Sequence, residues 1–198
     1  MFGYFDNDPS KMLRQATAQK ESGDINGAIA TLRKAYNAIR KGRSVYPIET
    51  FLRLPAYLHE AGLRDEAWQA YGALLIDGNP NEPDLIPMDQ SAIYDKMRLF
   101  LQREGSPVPA IAYGVLSHCS WAIGLFRQQR KAELRSHVTK SAIDQLTNRL
   151  LKRANRLDIQ KKLSQYIFER LENMEKMNLQ QIFPEVNTLL LDASTQNV

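Results

Sequence analysis

The stretch FLRLPAYLHEAGLRDEA, residues 51–67, carries the pattern on which the expected fold depends. Its first half has large apolar residues spaced three and four apart, which places them on one face of a helix: Phe51, Leu54 and Leu58. Gly62 follows this face, and glycine readily adopts the left-handed conformation that ends a helix in a tight turn. Ala67 comes five residues later, at a small position where two helices can cross closely. The stretch therefore predicts two antiparallel helices joined at Gly62.

The same glycine-to-alanine spacing occurs elsewhere in the chain. Three pairs share it: Gly23 and Ala28, Gly62 and Ala67, Gly105 and Ala110. The alanines are 39 and then 43 residues apart. A repeated unit of this length predicts a row of helical hairpins, each burying its apolar face against the next.

These hairpins resemble the tetratricopeptide repeat family. Residues 51–58 and 94–101 match the large-x-x-Leu-x-x-x-aromatic pattern of that family's first helix, with leucine at the last position, and Ala16 is the best match to its small position in the first unit. The resemblance covers about residues 10–120. It implies antiparallel hairpins stacked as a short solenoid, although the loops between them are longer than the ideal period of about 34 residues allows. A helical bundle without repeats is the alternative.

The resemblance also implies a binding surface. In such arrays the first helix of each hairpin lines a concave groove that holds an extended peptide or a partner helix. The groove positions that follow are Arg14, Thr17, Lys20, Arg53, His59, Lys96, Leu99 and Arg103. Together with Glu49, Ala56, Asp95 and Gln102, which follow from the same resemblance, they include five basic side chains against two acidic ones. This balance favours an anionic or mixed ligand, whereas the alternative is that they are solvated helix faces.

The rest of the chain also favours an all-α protein, because no segment alternates apolar and polar residues as a strand does. Helices are expected over 10–22, 25–41, 47–61, 64–76, 90–104, 107–125, 140–155 and 158–177, with a short one after Pro184. Pro55 predicts a kink in the third of these, or a later start. Residues 1–125 are expected to form the repeats, and residues 126–198 a basic helical extension that caps them.

Positive charge is concentrated in residues 127–162, which hold eleven Lys and Arg against three Asp and Glu. Four of these side chains are predicted to share one helix flank and form an anionic-partner patch: Arg149, Lys152, Arg153 and Arg156. The patch could bind nucleic acid phosphates, be solvated, or dock the acidic loop at residues 77–89. That loop could itself be a lid, a partner-binding arm or a linker.

Signs of catalysis are lacking. No phosphate-binding loop, dinucleotide motif or nucleophile elbow occurs, so neither enzymatic activity nor a cofactor is expected. Cys119 is the single cysteine and is expected to be a small buried residue. His118 adjoins it at an angle unsuited to a shared metal ion, and no metal site is expected. His118 and His137 are interpreted as structural or solvent-facing.

Two apolar stripes in the last helices are expected to pack on the repeats or to form a homodimer seam. One contains Ile143, Leu146, Leu150, Ala154 and Leu157, and the other contains Leu163, Ile167, Leu171 and Met174. No segment is expected to cross a membrane, and a reducing cytoplasm is the expected location. The predicted function is therefore a non-catalytic adaptor or regulator that binds a protein or peptide partner, and nucleic-acid binding is the alternative.

Overall fold

The structure, a computed structural model, describes residues 8–42, 44–77 and 86–192. All regular elements in these ranges are helical, so the predicted all-α class is confirmed. The α-helices are α1 (Pro9–Glu21), α2 (Ile25–Lys41), α3 (Ile48–Phe51), α4 (Arg53–Glu60), α5 (Arg64–Asp77), α6 (Pro87–Arg103), α7 (Pro107–Arg127), α8 (Lys131–His137), α9 (Lys140–Arg153), α10 (Gln160–Glu172) and α11 (Leu179–Asp192). Short 3-10 turns cover Leu157–Ile159 and Met174–Lys176. Most of the acidic loop predicted at 77–89, residues 78–85, lies outside the described residues.

Pro55 has the effect expected of a proline in a helical segment. The helix predicted over 47–61 is divided at Leu52 into α3 and α4, and Pro55 lies in the first turn of α4. A backbone N–H in the first turn has no partner within its own helix, so the ring costs no hydrogen bond there. The predicted interruption is confirmed.

Two differences from the sequence predictions concern the C-terminal part. The helix α8 was not predicted, because its seven residues lie in a basic run with no buried residue. The last helix was expected after Pro184 but begins at Leu179 and contains the proline. Buried residues spaced four apart hold it in place despite the proline: Ile182, Val186 and Leu190.

The described chain divides into two compact units, residues 1–85 and 86–198. In the first unit, α1 and α2 form one hairpin, α4 and α5 form another, and α2 packs against α4. The turn glycines Gly23 and Gly62 have φ of +88° and +79°, where a side chain would be strained. Ala28 and Ala67 are fully buried at the helix crossings, as predicted.

The second unit is built around α7, which packs against α6, α8, α9, α10 and α11. Gly105, with φ of +73°, joins α6 to α7, and the predicted small position Ala110 is buried. The boundary predicted at residues 125 and 126 falls within α7. The core of this unit takes in most of the two apolar stripes, including Ile143, Leu163 and Ile167. The homodimer through those stripes stays a prediction.

No segment was expected to cross a membrane, and this stays a prediction. Among the described residues α7 alone is long and apolar enough to do so, with no Asp, Glu, Lys or Arg between Pro107 and Phe126. Of its most apolar window, 67% is buried inside the structure. The core helix of a soluble protein passes the same test, so α7 is compatible with either setting.

Candidate functional site

The first unit brings two of the predicted groove residues, Arg53 on α4 and Thr17 on α1, into contact. Arg53 Nη2 donates hydrogen bonds to the Leu13 carbonyl oxygen at 2.9 Å and to Thr17 Oγ1 at 2.7 Å. The Thr17 hydroxyl in turn donates to the Leu13 carbonyl oxygen at 3.2 Å. Arg53 thus ties the first helix of the second hairpin to the first helix of the first.

Lys20 makes a second tie between the same helices. Its Nζ lies 2.9 Å from a Glu60 carboxylate oxygen and 5.2 Å from the centroid of the Tyr57 ring. The hydrogen bond to Glu60 raises the pKa of Lys20. The Arg53 guanidinium carbon lies 5.7 Å from the Tyr57 centroid, so this buried ring is approached by two cations. We call the surface formed by Arg14, Thr17, Lys20, Arg53 and His59 the α1/α4 face.

The other predicted groove residues differ in exposure and in location. Arg14 is exposed on α1, and His59 is partly buried on α4. Lys96 and Arg103 are exposed and Leu99 is partly buried, all on α6 of the second unit. Of the eight predicted residues, five therefore belong to the first unit and three to the second.

The predicted anionic-partner patch is only partly free. Arg149, Lys152 and Arg153 lie on α9, but Arg156 lies beyond the end of that helix at Arg153. Arg153 Nη1 donates to Gln102 Oε1 at 2.6 Å. Arg156 donates through Nη2 to the Leu190 carbonyl oxygen at 2.9 Å and through Nε to Asp158 at 3.2 Å. Half of the predicted patch is thus used to join parts of the second unit.

The second unit also contains a cavity of about 230 Å³ that the sequence did not indicate. Its wall includes side chains from four helices, α6 to α9: Asp95, Arg98, His118, Trp121, His137 and Arg149. We call it the α6–α9 cavity. Gly114 makes the close packing at its edge feasible, because a Cβ there would lie 2.5 Å from Leu150 Cδ2 and 3.1 Å from Arg98 Cδ.

Local turns bring His137 to this cavity. After α7 ends, Gln129 adopts a φ of 57°, and α8 begins at Lys131. Thr139 then caps α9 by accepting a hydrogen bond from the Ala142 N–H at 3.1 Å. The His137 ring stacks on the His118 ring with centroids 4.7 Å apart and planes 18° apart. Trp121 lies alongside, 6.3 Å from His137.

Burial keeps both imidazoles neutral near neutral pH. It lowers the pKa of His118 to about 4, and the proximity of the His137 ring and of the Arg149 charge acts in the same direction. Burial also lowers the pKa of His137. The Nε2 atom of His118 is buried and has no hydrogen-bond partner in the described structure.

The two arginines of the cavity differ in their hydrogen-bond partners. Arg98 donates to Asp95 Oδ1 from Nε at 2.9 Å and from Nη2 at 2.6 Å, and its Nη1 donates to Gln102 at 3.0 Å. Arg149 makes no hydrogen bond or ion pair with any residue that the structure describes. The Asp95 charge is therefore balanced, and the Arg149 charge is not.

Cys119 is fully buried, as predicted, and burial raises the pKa of its thiol to about 12. Within the described ranges no three His, Cys, Asp or Glu side chains are grouped so as to hold a metal ion. The sequence contains no pattern that predicts the stacking of His118 on His137. The three-residue spacing of His118 and Trp121 was the available signal, because it puts both on one side of α7.

Comparisons with models of known families, with curated proteins and with solved structures found no match. The resemblance to tetratricopeptide repeats therefore depends on the residue pattern described above.

Proposed function

We propose that this protein is a non-catalytic, tetratricopeptide-like interaction module whose α1/α4 face binds an extended acidic segment of a protein partner. The observation that carries the proposal is the Arg53 contact, through which a side chain of α4 reaches α1, so that the first helices of two successive hairpins are linked. That adjacency is the arrangement from which a concave groove is built in helical repeats. The proposed location is the cytoplasm, in line with a single, buried cysteine.

The residues of the face have different proposed roles. Arg53 and Thr17 hold the two helices together and position the surface. Arg14 is exposed, and the Lys20 side chain retains 35% of its accessible surface, so both can meet a carboxylate of the partner. His59 lies on the second helix of the same face. Lys96, Leu99 and Arg103 lie on α6 of the second unit and are not part of this face.

A peptide-display selection on the full chain tests this function. We expect the recovered peptides to be enriched in Asp and Glu, since Arg14 is exposed and Lys20, although paired with Glu60, is partly exposed. Arg14→Glu should weaken binding of a recovered peptide about tenfold, the loss expected for one reversed charge contact. Arg40→Glu makes the same change at an exposed position of α2 and should leave the affinity unchanged. Equal effects of the two variants, or no acidic enrichment, would contradict the proposal.

Nucleic-acid binding by residues 127–162 is the less supported function, because Arg153 and Arg156 are engaged within the second unit. We expect no retention of a labelled duplex or single strand by the wild type at about 150 mM salt. Salt-sensitive binding that is lost when Arg149, Lys152, Arg153 and Arg156 are all changed to Gln would favour this function over the first.

A further inference from the structure

We propose that the α6–α9 cavity is a binding site for a compact oxyanion, the phosphate or carboxylate group of a small molecule, with Arg149 and His118 as its ligands. This inference concerns the second unit and is independent of the function proposed for the α1/α4 face.

The first argument is the charge of the cavity wall. Asp95 and Arg98 neutralise each other through two hydrogen bonds to one carboxylate oxygen. The stacked imidazoles of His118 and His137 are neutral, so the Arg149 guanidinium leaves one positive charge without a partner among the described residues. A guanidinium presents its N–H groups in a planar fork that matches the oxygens of a carboxylate or a phosphate. Arg149 is exposed, so its guanidinium is open to pairing with an anion that enters from solvent.

The second argument is the His118 ring. Buried polar atoms in proteins nearly always have a hydrogen-bond partner, and His118 Nε2 has none in the described structure. A neutral imidazole with its proton on Nε2 is a hydrogen-bond donor. Arg149 and His118 both line this cavity, so an oxyanion held by Arg149 could also accept from His118.

The third argument is size. Pockets for drug-sized ligands usually measure about 300–1,000 Å³, and this cavity measures about 230 Å³. Trp121 and the stacked histidines line part of the cavity. The site therefore accepts one compact anionic group and not a large substrate.

Binding should be coupled to protonation. The titratable and charged groups that line the cavity are Asp95 and Arg98 from α6, His118 from α7, His137 from α8 and Arg149 from α9. A bound anion favours the imidazolium form and should raise the pKa of His118 from its low value. By linkage, the affinity for an anion of constant charge should rise as the pH is lowered toward 4.

A titration of the full chain followed by NMR of its three histidine rings tests the proposal. Sodium phosphate and sodium acetate are added in separate experiments, with sodium chloride as the ionic-strength control. We expect saturable shifts of His118 and His137 and a dissociation constant of about 1 mM or below. If only phosphate saturates the shifts, the ligand is a tetrahedral group. If only acetate does, the ligand is a carboxylate, and if both do, the site binds either kind of oxyanion.

Two variants on α9 distinguish anion binding in the cavity from a general effect of the protein's charge. Arg149→Gln should weaken binding about tenfold or more, because it removes a charge-assisted hydrogen bond. Lys152→Gln removes the same charge at an exposed position that does not line the cavity and should have no effect. Both positions are exposed, so both variants should fold, which circular dichroism checks. The absence of saturable shifts up to about 50 mM of either anion, or equal losses in the two variants, would overturn the proposal.

Discussion

Arg53 in the first unit and Arg149 in the second show how differently the two candidate surfaces use a cation. The repeat pattern predicted Arg53 as a groove residue, but its guanidinium donates hydrogen bonds to Leu13 and Thr17 and so links two helices. Arg149 was named only as part of a basic flank, and it lines a cavity without an ion pair among the described residues. A basic residue at a groove position is therefore not by itself a free ligand contact. The groups that remain unsatisfied are the stronger indication of a site.

The largest expected effect is a pH dependence of folding stability that distinguishes the second unit from the first. The unfolded chain binds a proton at His118 near the ordinary pKa of 6.5, whereas the folded second unit binds it only near 4. Protons therefore favour the unfolded state between these values. The stability that the neutral ring supplies is complete above pH 6.5 and is lost progressively as the pH falls toward 4, by up to about 3 kcal/mol.

Urea unfolding at several pH values measures this loss. Each unit contains one tryptophan, so Trp68→Phe leaves Trp121 to report on the second unit and Trp121→Phe leaves Trp68 to report on the first. Amine buffers free of phosphate and carboxylate avoid ligands of the cavity. His118→Gln should flatten the pH dependence seen through Trp121. An unchanged slope in that variant would show that His118 is not the group responsible.

A core substitution in the first unit should have the next largest effect. Ala67 is fully buried at the crossing of the α4–α5 hairpin, so Ala67→Leu should lower the free energy of unfolding of this unit by about 2 kcal/mol through overpacking. Ala73→Leu makes the same change at an exposed position of α5 and should alter it little. The measurement is urea unfolding followed by Trp68. Equal stabilities of the two variants would contradict the close helix crossing.

The Arg53 contacts should account for the smallest of these effects. Arg53→Gln removes the charged donor to Leu13 and Thr17 and should cost about 1 kcal/mol of the first unit's stability. Arg14→Gln, on an exposed side chain of the same face, should change that stability by less than about 0.5 kcal/mol. If both variants are as stable as the wild type, Arg53 does not tie the helices in solution.

Local patterns predicted the parts of the fold that depend on nearest neighbours along the chain. The turns at Gly23, Gly62 and Gly105 and the buried alanines that follow them were all found, because a glycine turn and a small crossing position are encoded within six residues. The interruption near Pro55 was found for the same reason, since proline acts on its own turn of helix. An apolar face alone, by contrast, was insufficient to predict that α11 continues through Pro184.

The candidate site could not be predicted in this way. His118 and His137 are far apart in sequence, and the short helix α8 that brings His137 to the cavity buries no residue of its own, so it has no periodic signal. Which residues of the predicted anionic-partner patch make contacts within the fold also depends on residues distant in sequence. Arg153 and Arg156 are engaged by Gln102 and Leu190, which only the folded second unit brings close.

Side-chain NMR of the arginine guanidinium groups in the full chain tests the contrast between Arg53 and Arg149 most directly. Without any added anion, Arg53 should show slowed rotation about its Cζ–Nη bonds and protected protons, because two acceptors on α1 hold it. Arg149 should rotate freely until phosphate or acetate is added, and should then become restricted. An Arg149 that is restricted without anion, or an Arg53 that rotates freely, would contradict the account.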